Sequence, residues 1–482
     1  MGDRPGAVGR RRALIVAPTT QLAPSRVLAD LDAHLAADLE ALFDLVRIPS
    51  VSADPRHGGD VRSAARLLAT RLGAAGLDDV TLLESDGHPV VSATWRHAAG
   101  APTILIYGHY DVQPSDPVDR WETPPFEPTV RGDRVYARGV SDDKAPLSIA
   151  LDVVASFLRV EGALPVNVVF AFEGEEEIGS PSLAAVLAAH AERFRADVVV
   201  SADGAMWRAD HPSTMHCARG LLALDVDLST AAKDLHSGRH GGSVPNAIHA
   251  LARLVAGLHD DGGGVAVAGF YDDVAAPSAA LLAATHALPF DERAYLDEIG
   301  AATTWGEPGY GTLERQWYRP TLEVNGMWGG YLGDGPKTVV PCEAHAKITC
   351  RLVSDQRPDR IFELIERHLL DHRPPGSRVS VTRQGEGAGA YHLNGDHPGL
   401  RAVLGALRAT YGVEPWVVGM GGSVPICETF QRALGIDTVF FSFAVGDEDI
   451  HAPNEFFRLE RLTHGRRAWA DLLVRLPLEF RA

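Results

Sequence analysis

Residues 103–114 read TILIYGHYDVQP, and the first six of them decide how the chain folds. An apolar run of strand length, with no polar alternation, belongs to a strand covered on both faces, as in a mainly parallel sheet. VNVVFAF (166–172) and DVVVSAD (197–203) behave the same way, and TVFFSFAV (438–445) reads as a further buried strand near the end. Helical spacing fills the gaps at 146–160 and 182–195, and a helix is expected over about 61–75. Leu28, Leu31, Leu35, Leu39, Leu42, Leu45 and Val46 place a long amphipathic helix before all of them. Strands alternating with helices make this an α/β fold, with right-handed crossovers expected.

After about residue 212 the rhythm changes. GLLALDVDLS (220–229) reads as a strand, NAIHALARLVAGLH (246–259) as a helix, then TLEVNG (321–326) and AHAKITCRLVS (344–354) as strands. PDRIFELIERHLL (358–370) is helical and SRVSVTR (377–383) a strand, so the order β-α-β-β-α-β is that of a ferredoxin-like α+β unit. GEGAG (385–389) reads as a flexible hinge. The expected organisation is a tail over 1–24, an α/β domain in two parts (25–212 and 387–482), and an inserted smaller domain over 213–386.

The balance of 45 Lys plus Arg against 63 Asp plus Glu gives a net charge of −18 over 482 residues. Such acidity argues against nucleic acid and anionic membrane as partners. No apolar run approaches the ~18 residues a membrane helix needs. Cys217, Cys342, Cys350 and Cys427 lack CxxC spacing, which excludes a thiolate zinc ribbon and a dense disulfide framework; reduced thiols in a cytoplasmic setting follow. Arg10–Arg12 precede an apolar stretch of only about five residues, short of the ~7–15 in a signal peptide, so a tail is the better reading. GEGAG has no helix and distal acid to complete a dinucleotide fingerprint, and GDGPKT (333–338) lacks the Gly before Lys of a P-loop. GMGGS (419–423) reads as an anion-binding turn of backbone amides. A GxSxG elbow is missing from the sequence.

Ligands of open parallel sheets sit beyond the carboxyl ends of the strands. His109 and Asp111 follow TILIYG, and Glu173, Glu175, Glu176 and Glu177 follow VNVVFAF. Asp203 ends the next strand, Asp142 and Asp143 lie in the connection after Tyr136, and Asp447, Glu448, Asp449 and His451 follow the last strand. Any one acidic loop could simply be solvated. Five converging on one rim need a cation, because carboxylates a few ångströms apart cannot all ionise without one. Oxygen and imidazole donors without thiolate suit Zn, Mn or Co, with Zn favoured by the two histidines. Two metals sharing an aspartate balance this much negative charge better than one.

GHYDVQP (108–114), RGVSDDKAP (138–146), FEGEEEIGS (172–180), SADG (201–204) and HAPNE (451–455) resemble, in order, the metal-site motifs of the M20 metallopeptidase family. That family includes carnosinase-like and other dipeptidases, carboxypeptidases, acetylornithine deacetylase and succinyl-diaminopimelate desuccinylase. The resemblance runs from about residue 30 to the end. It implies a zinc-peptidase-like α/β domain interrupted by a lid and dimerisation domain. One metal would be held by His109, Asp142 and Asp203, the other by Asp142, Glu177 and His451, with Asp142 bridging. Asp111 would orient the imidazole of His109, and Glu176 would be the general base. A cis peptide is implied at Asp142–Asp143. The family usually has Gly where Ala145 follows DDK, which points to a local packing difference without loss of chemistry.

By the same resemblance His236, in DLHSGRHGG (234–242), reaches a neighbouring subunit's site, so a homodimer through the lid is implied. Arg351 would anchor a substrate carboxylate with its guanidinium fork, and Thr338, Gly422 and Ser423 are further candidates for substrate binding. The DDK form and the segment 333–353 look like the dipeptidase branch. Hydrolysis of a dipeptide or short peptide with a free C-terminal carboxylate is the expectation, and deacylation of N-acyl amino acids the alternative. A non-catalytic metal scaffold is a more remote one, opposed by the retention of Glu176.

Overall fold

The strand Thr103–His109 lies inside a six-stranded sheet in a computed structural model that describes residues 21–481. It pairs in parallel with Asn167–Glu173 on one side and with Val198–Ser201 on the other. Thr438–Phe440 extends the sheet in parallel beyond Val198–Ser201. Val90–Trp95 and Asp78–Leu83 complete the opposite edge antiparallel, so the sheet is mixed. The next two strands of this sheet in chain order, Asn167–Glu173 and Val198–Ser201, flank it on opposite sides. Its carboxyl end is therefore the switch point where an α/β sheet opens a crevice.

The apolar runs do what their composition dictates: Ile104–Tyr107, Val168–Phe172 and Val198–Val200 are buried. The helix Ala145–Glu161 packs between the helices Ser25–Val46 and Leu459–Glu479. Lys144, just before it, donates its Nζ to the carbonyls of Leu45 (3.1 Å) and Ile48 (2.8 Å). These carbonyls lie where Ser25–Val46 ends, a favourable place for a cation. Burial pulls that ammonium down to about 7.

A second, four-stranded sheet has the order Thr321–Gly329, Glu343–Leu352, Gly220–Ser229, Arg378–Ala388, antiparallel throughout. Alternate residues of Gly220–Ser229 (Leu222, Leu224, Val226, Leu228) are buried against the helices Ala247–Ala256 and Pro358–His372. Asn246 caps the first of these by accepting from the N–H groups of Ile248 (2.9 Å) and His249 (3.3 Å), worth about 1 kcal/mol.

Several boundaries differ from expectation, each for a physical reason. Ser213–Ala218 is a strand of a separate three-stranded sheet with Trp416–Met420 and Tyr391–His392, and packs with the main core. The chain therefore leaves the main body nearer residue 219 than 213. Leu288, Leu313, Trp317 and Tyr318 also belong to the main core, so much of the stretch between 260 and 320, for which the sequence pattern assigns no element, folds onto the body as the helices Ala279–His286, Glu292–Ile299 and Thr312–Tyr318. The last buried strand stops at Phe440, because Met206 captures the Ala444 carbonyl (2.8 Å) and draws the chain out of the ladder. GEGAG is the irregular end of the strand Arg378–Ala388, with Gly385 (φ 67°) and Gly387 (φ 74°) absorbing a register shift, and is no free hinge. The expected tail lies outside the described residues as far as residue 20; Ala23 donates its N–H to Asp471 (3.2 Å).

Candidate metal centre

Two three-residue groups stand at the switch point, His109, Asp142 and Asp203 in one and Asp142, Glu177 and His451 in the other. Within each, one donor atom per residue lies within 4.8 Å of the others. Asp142 is common to both. Its Oδ1 is 3.0 Å from Nε2 of His109 and its Oδ2 is 2.9 Å from Nε2 of His451. Glu177 Oε2 is 3.2 Å from the same His451 nitrogen. Spacings near 3 Å are those of ligands about 2.0–2.2 Å from a common centre. The five residues expected to hold metal are thus brought together, and their donor set fits two divalent cations.

The local folding that produces this arrangement is specific. His109 ends its strand opposite Glu173. Gly108 precedes it because a Cβ there would sit 2.6 Å from Asp143 Oδ2, which instead accepts the His109 N–H at 3.2 Å. The Asp142–Asp143 peptide is cis. Asp111 turns into the protein beneath the site: its backbone carbonyl is 3.1 Å and its Oδ1 3.5 Å from His109 Nδ1. Its carboxylate also accepts the N–H groups of Glu176 (3.2 Å) and Glu177 (3.1 Å) and the Ser52 hydroxyl (2.6 Å). Asp111 thereby fixes the imidazole, chiefly by its backbone carbonyl, and by its carboxylate the turn that carries the two glutamates.

The electrostatics report crowding. Burial, together with the charges of Asp203, Asp142 and Glu177, pushes the Glu176 carboxyl up to about 9. Burial also pushes Asp203 up to about 6, with Asp142 and Glu177 adding to it. Hydrogen bonding to Asp142 and then Glu177 raises His451 to about 10. Asp142 goes the other way: burial opposes its charge, but the two imidazoles hold it below the usual carboxylate range. The upward shifts of Glu176, Asp203 and His451 report an excess of negative charge.

Some residues important to this geometry were not singled out from sequence. Glu455, buried at the end of the HAPNE segment, accepts from the N–H groups of Gly139 (2.9 Å), Ser141 (2.9 Å) and Asp142 (3.2 Å), and from Arg138 Nη1 (2.8 Å). It sets the loop that presents Asp142. Gln113 donates to both oxygens of Glu177, by its N–H (3.1 Å) and by Nε2 (2.9 Å). Both lie within motifs quoted above, among the polar residues given no role there. Glu448, by contrast, is taken up by Ser141 (2.6 Å) and Arg458 (3.0 Å).

The remaining expected residues fall into two pairings. Arg351 Nη1 donates to Ser423 Oγ at 2.8 Å, beside Gly422. His236 pairs with Val339 in a short two-stranded ladder, which puts it next to Thr338. His236 is exposed and belongs to neither donor group.

A model of Peptidase family M20/M25/M40 matches residues 105–475. The Cys-Gly metallodipeptidase DUG1 of Candida albicans is 28% identical over 451 residues, 89% of this chain and 92% of that protein. The Beta-Ala-His dipeptidase of Homo sapiens is 28% identical over 437 residues, 90% and 85% of the two chains. Among solved structures, the metallo-carboxypeptidase Sso-CP2 from Sulfolobus solfataricus is similar with a TM-score of 0.79 and 31% identity, over 92% of this chain and 99% of that one.

Proposed function

The chain belongs to peptidase family M20/M25/M40, and from that premise we propose a di-metal dipeptidase acting on short peptides with a free C-terminal carboxylate. The observation that carries this reading is Asp142, whose two oxygens each face a histidine from a different segment. His109 and Asp203 complete one metal position, Glu177 and His451 the other. Zinc is the ion that imidazole and carboxylate donors favour, with Mn and Co compatible. Bound, such ions would lower the pKa of a water and polarise an amide carbonyl. Glu176 takes the proton of the attacking water and passes it to the departing amine, a role worth about 10²–10⁴-fold. Asp111 keeps the imidazole and both glutamates in register for that exchange. Arg351, with Ser423 and Gly422, receives the substrate carboxylate, and Thr338 acts alongside His236.

The four-stranded unit has the strand order of a ferredoxin-like fold, and we read it as a lid that also dimerises. Its edge strand Thr321–Gly329 and the turn after it expose Val324, Met327, Trp328, Tyr331 and Leu332. An apolar sheet edge left in water is a liability that a second copy would cover. The partner's lid would then bring a histidine equivalent to His236 to this site. Among the described residues no helix is long and apolar enough to cross a membrane. Four free thiols, three of them buried, fit a reducing, cytoplasmic setting.

The test is a substrate panel of Cys-Gly, Beta-Ala-His and N-acetyl amino acids with metal-stripped and zinc-reconstituted protein. Release of amine from the unblocked dipeptides, lost on stripping and regained with zinc, is expected. Glu176→Gln should keep two metals per chain by elemental analysis and lose at least ~10²-fold in kcat, whereas Glu177→Ala should lose metal. Normal turnover in both variants would overturn the assignment.

A further inference from the structure

The chain leaves the main body at Arg219, between the strand Ser213–Ala218 and the strand Gly220–Ser229. It returns alongside, at Ala388–Ala390, so closely that a Cβ on Gly220 would sit 2.4 Å from the Ala388 carbonyl oxygen. Arg219 spends its hydrogen bonds at this crossing on backbone carbonyls. Its Nε donates to Gly421 (2.8 Å) and its own N–H to Gly422 (3.0 Å). Its Nη1 reaches the carbonyls of Arg315 (3.5 Å) and Arg319 (3.4 Å), at the end of the helix Thr312–Tyr318, where a cation is favoured. One residue further on, Ser423 accepts from Arg351. Among the described residues neither guanidinium forms an ion pair, and Glu323 acts on Arg219 only at a distance. Burial, then the charge of Arg351, pulls Arg219 down to about 10. Two unpaired guanidinium groups converge on one three-residue turn, an arrangement that an anion would complete.

We propose that Arg219 is the positioning residue that holds the turn Gly421–Ser423 against Arg351, so that preference for a free carboxylate on the substrate depends on a side chain seated where the chain leaves the main body. This rests on the dipeptidase reading above. It extends that reading, because Arg219 need not touch the substrate: its side chain acts through the Gly421 carbonyl, while the Gly422 carbonyl is held by the backbone N–H, which any substitution keeps. Lysine at this position would keep the charge and lose the fork, and glutamine would keep a donor and lose the charge.

The experiment compares kcat/KM for Cys-Gly with that for its C-terminal amide in wild type, Arg219→Lys and Arg219→Gln. Both substitutions should lower the acid-to-amide ratio about tenfold, through KM more than kcat, with metal content unchanged and a lower melting midpoint, since carbonyls lose their donor. If Arg219 acts through the turn, the tenfold cost of Arg219→Lys should shrink below about twofold in a Ser423→Ala background. Equal losses on acid and amide, or costs that simply add with Ser423→Ala, would overturn the proposal; should Arg219→Gln fail to fold, Arg219→Lys and its cycle still decide. A wild-type protein that cleaves no dipeptide removes the functional reading and this proposal with it, whereas normal dipeptide cleavage with an unchanged ratio removes the proposal alone.

Discussion

Glu455→Gln is the substitution for which the structure gives the sharpest expectation. Arg138 Nη1 and the Gly139 N–H share Oε2 of this carboxylate, and the Ser141 and Asp142 N–H groups share Oε1. Whichever way the new amide turns, two of these four donors meet an NH₂ in place of an oxygen. Each lost bond to a charged partner is worth about 1.5–3 kcal/mol, so the destabilisation should be about 3–5 kcal/mol. Burial pushes the Glu455 carboxyl up to about 7 against the pull of Arg138, so the measurement belongs at pH 8, where the group is ionised. Urea unfolding followed by tryptophan fluorescence reads the stability. Competition with a chelator reads zinc affinity, which should fall about 10–100-fold because the loop presenting Asp142 loosens. Glu386→Gln, an exposed control, should stay within about 0.5 kcal/mol of wild type. If Glu455→Gln matches that control in both assays, the account of how Asp142 is positioned is wrong.

Three further expectations follow from the same geometry. Burial pulls the His216 imidazole down to about 4, so the folded protein keeps it neutral while the unfolded chain takes up a proton below about pH 6.5. Stability should therefore fall on acidification from about 6.5 to 4, by roughly 2–3 kcal/mol from this residue, and His216→Gln should flatten that limb in urea titrations at pH 7.5 and 4.5; an equally steep loss in the variant would refute the assignment. Chelation should lower the melting midpoint and zinc restore it, since binding at a thousandfold over Kd adds about 4 kcal/mol; a melt indifferent to both would contradict a metal centre. Trp328→Lys with Leu332→Lys should convert a dimer into monomers in sedimentation and depress kcat through loss of the neighbouring histidine, and a wild-type protein that sediments as a monomer would end that reading.

Much of the site could be read from sequence because strand ends in an α/β sheet are fixed by short apolar runs. TILIYG and VNVVFAF place His109 and Glu173 side by side in the observed register. What could not be read depends on tertiary contacts. STMHCA (213–218) mixes polar and apolar residues without a period, and is a strand because Trp416–Met420 pairs with it. TVFFSFAV looks like one strand, yet the bridge from Ala444 to Met206 ends it early. The helices between 279 and 318 had local signals, including Ser278 capping Leu281 (3.2 Å) and Asp291 capping Arg293 (2.9 Å), hidden among prolines and glycines. Glu455 was the hardest to see, since its role lies in backbone groups more than 300 residues away in the chain.

The two crossing strands at Gly220 and Ala388 have an evolutionary and engineering consequence. Because exit and re-entry are neighbours, with Leu221 paired to Ala388, a short turn could bridge the gap left by deleting everything between them. The deleted piece would not be a clean cassette, however. Leu313, Trp317 and Tyr318 would go with it and strip an apolar covering from the body, while the sheet and helices around Leu224 and Leu364 would keep a nucleus of their own. Grafting this cap onto a relative should succeed only if residues 279–318 stay behind with the parent scaffold.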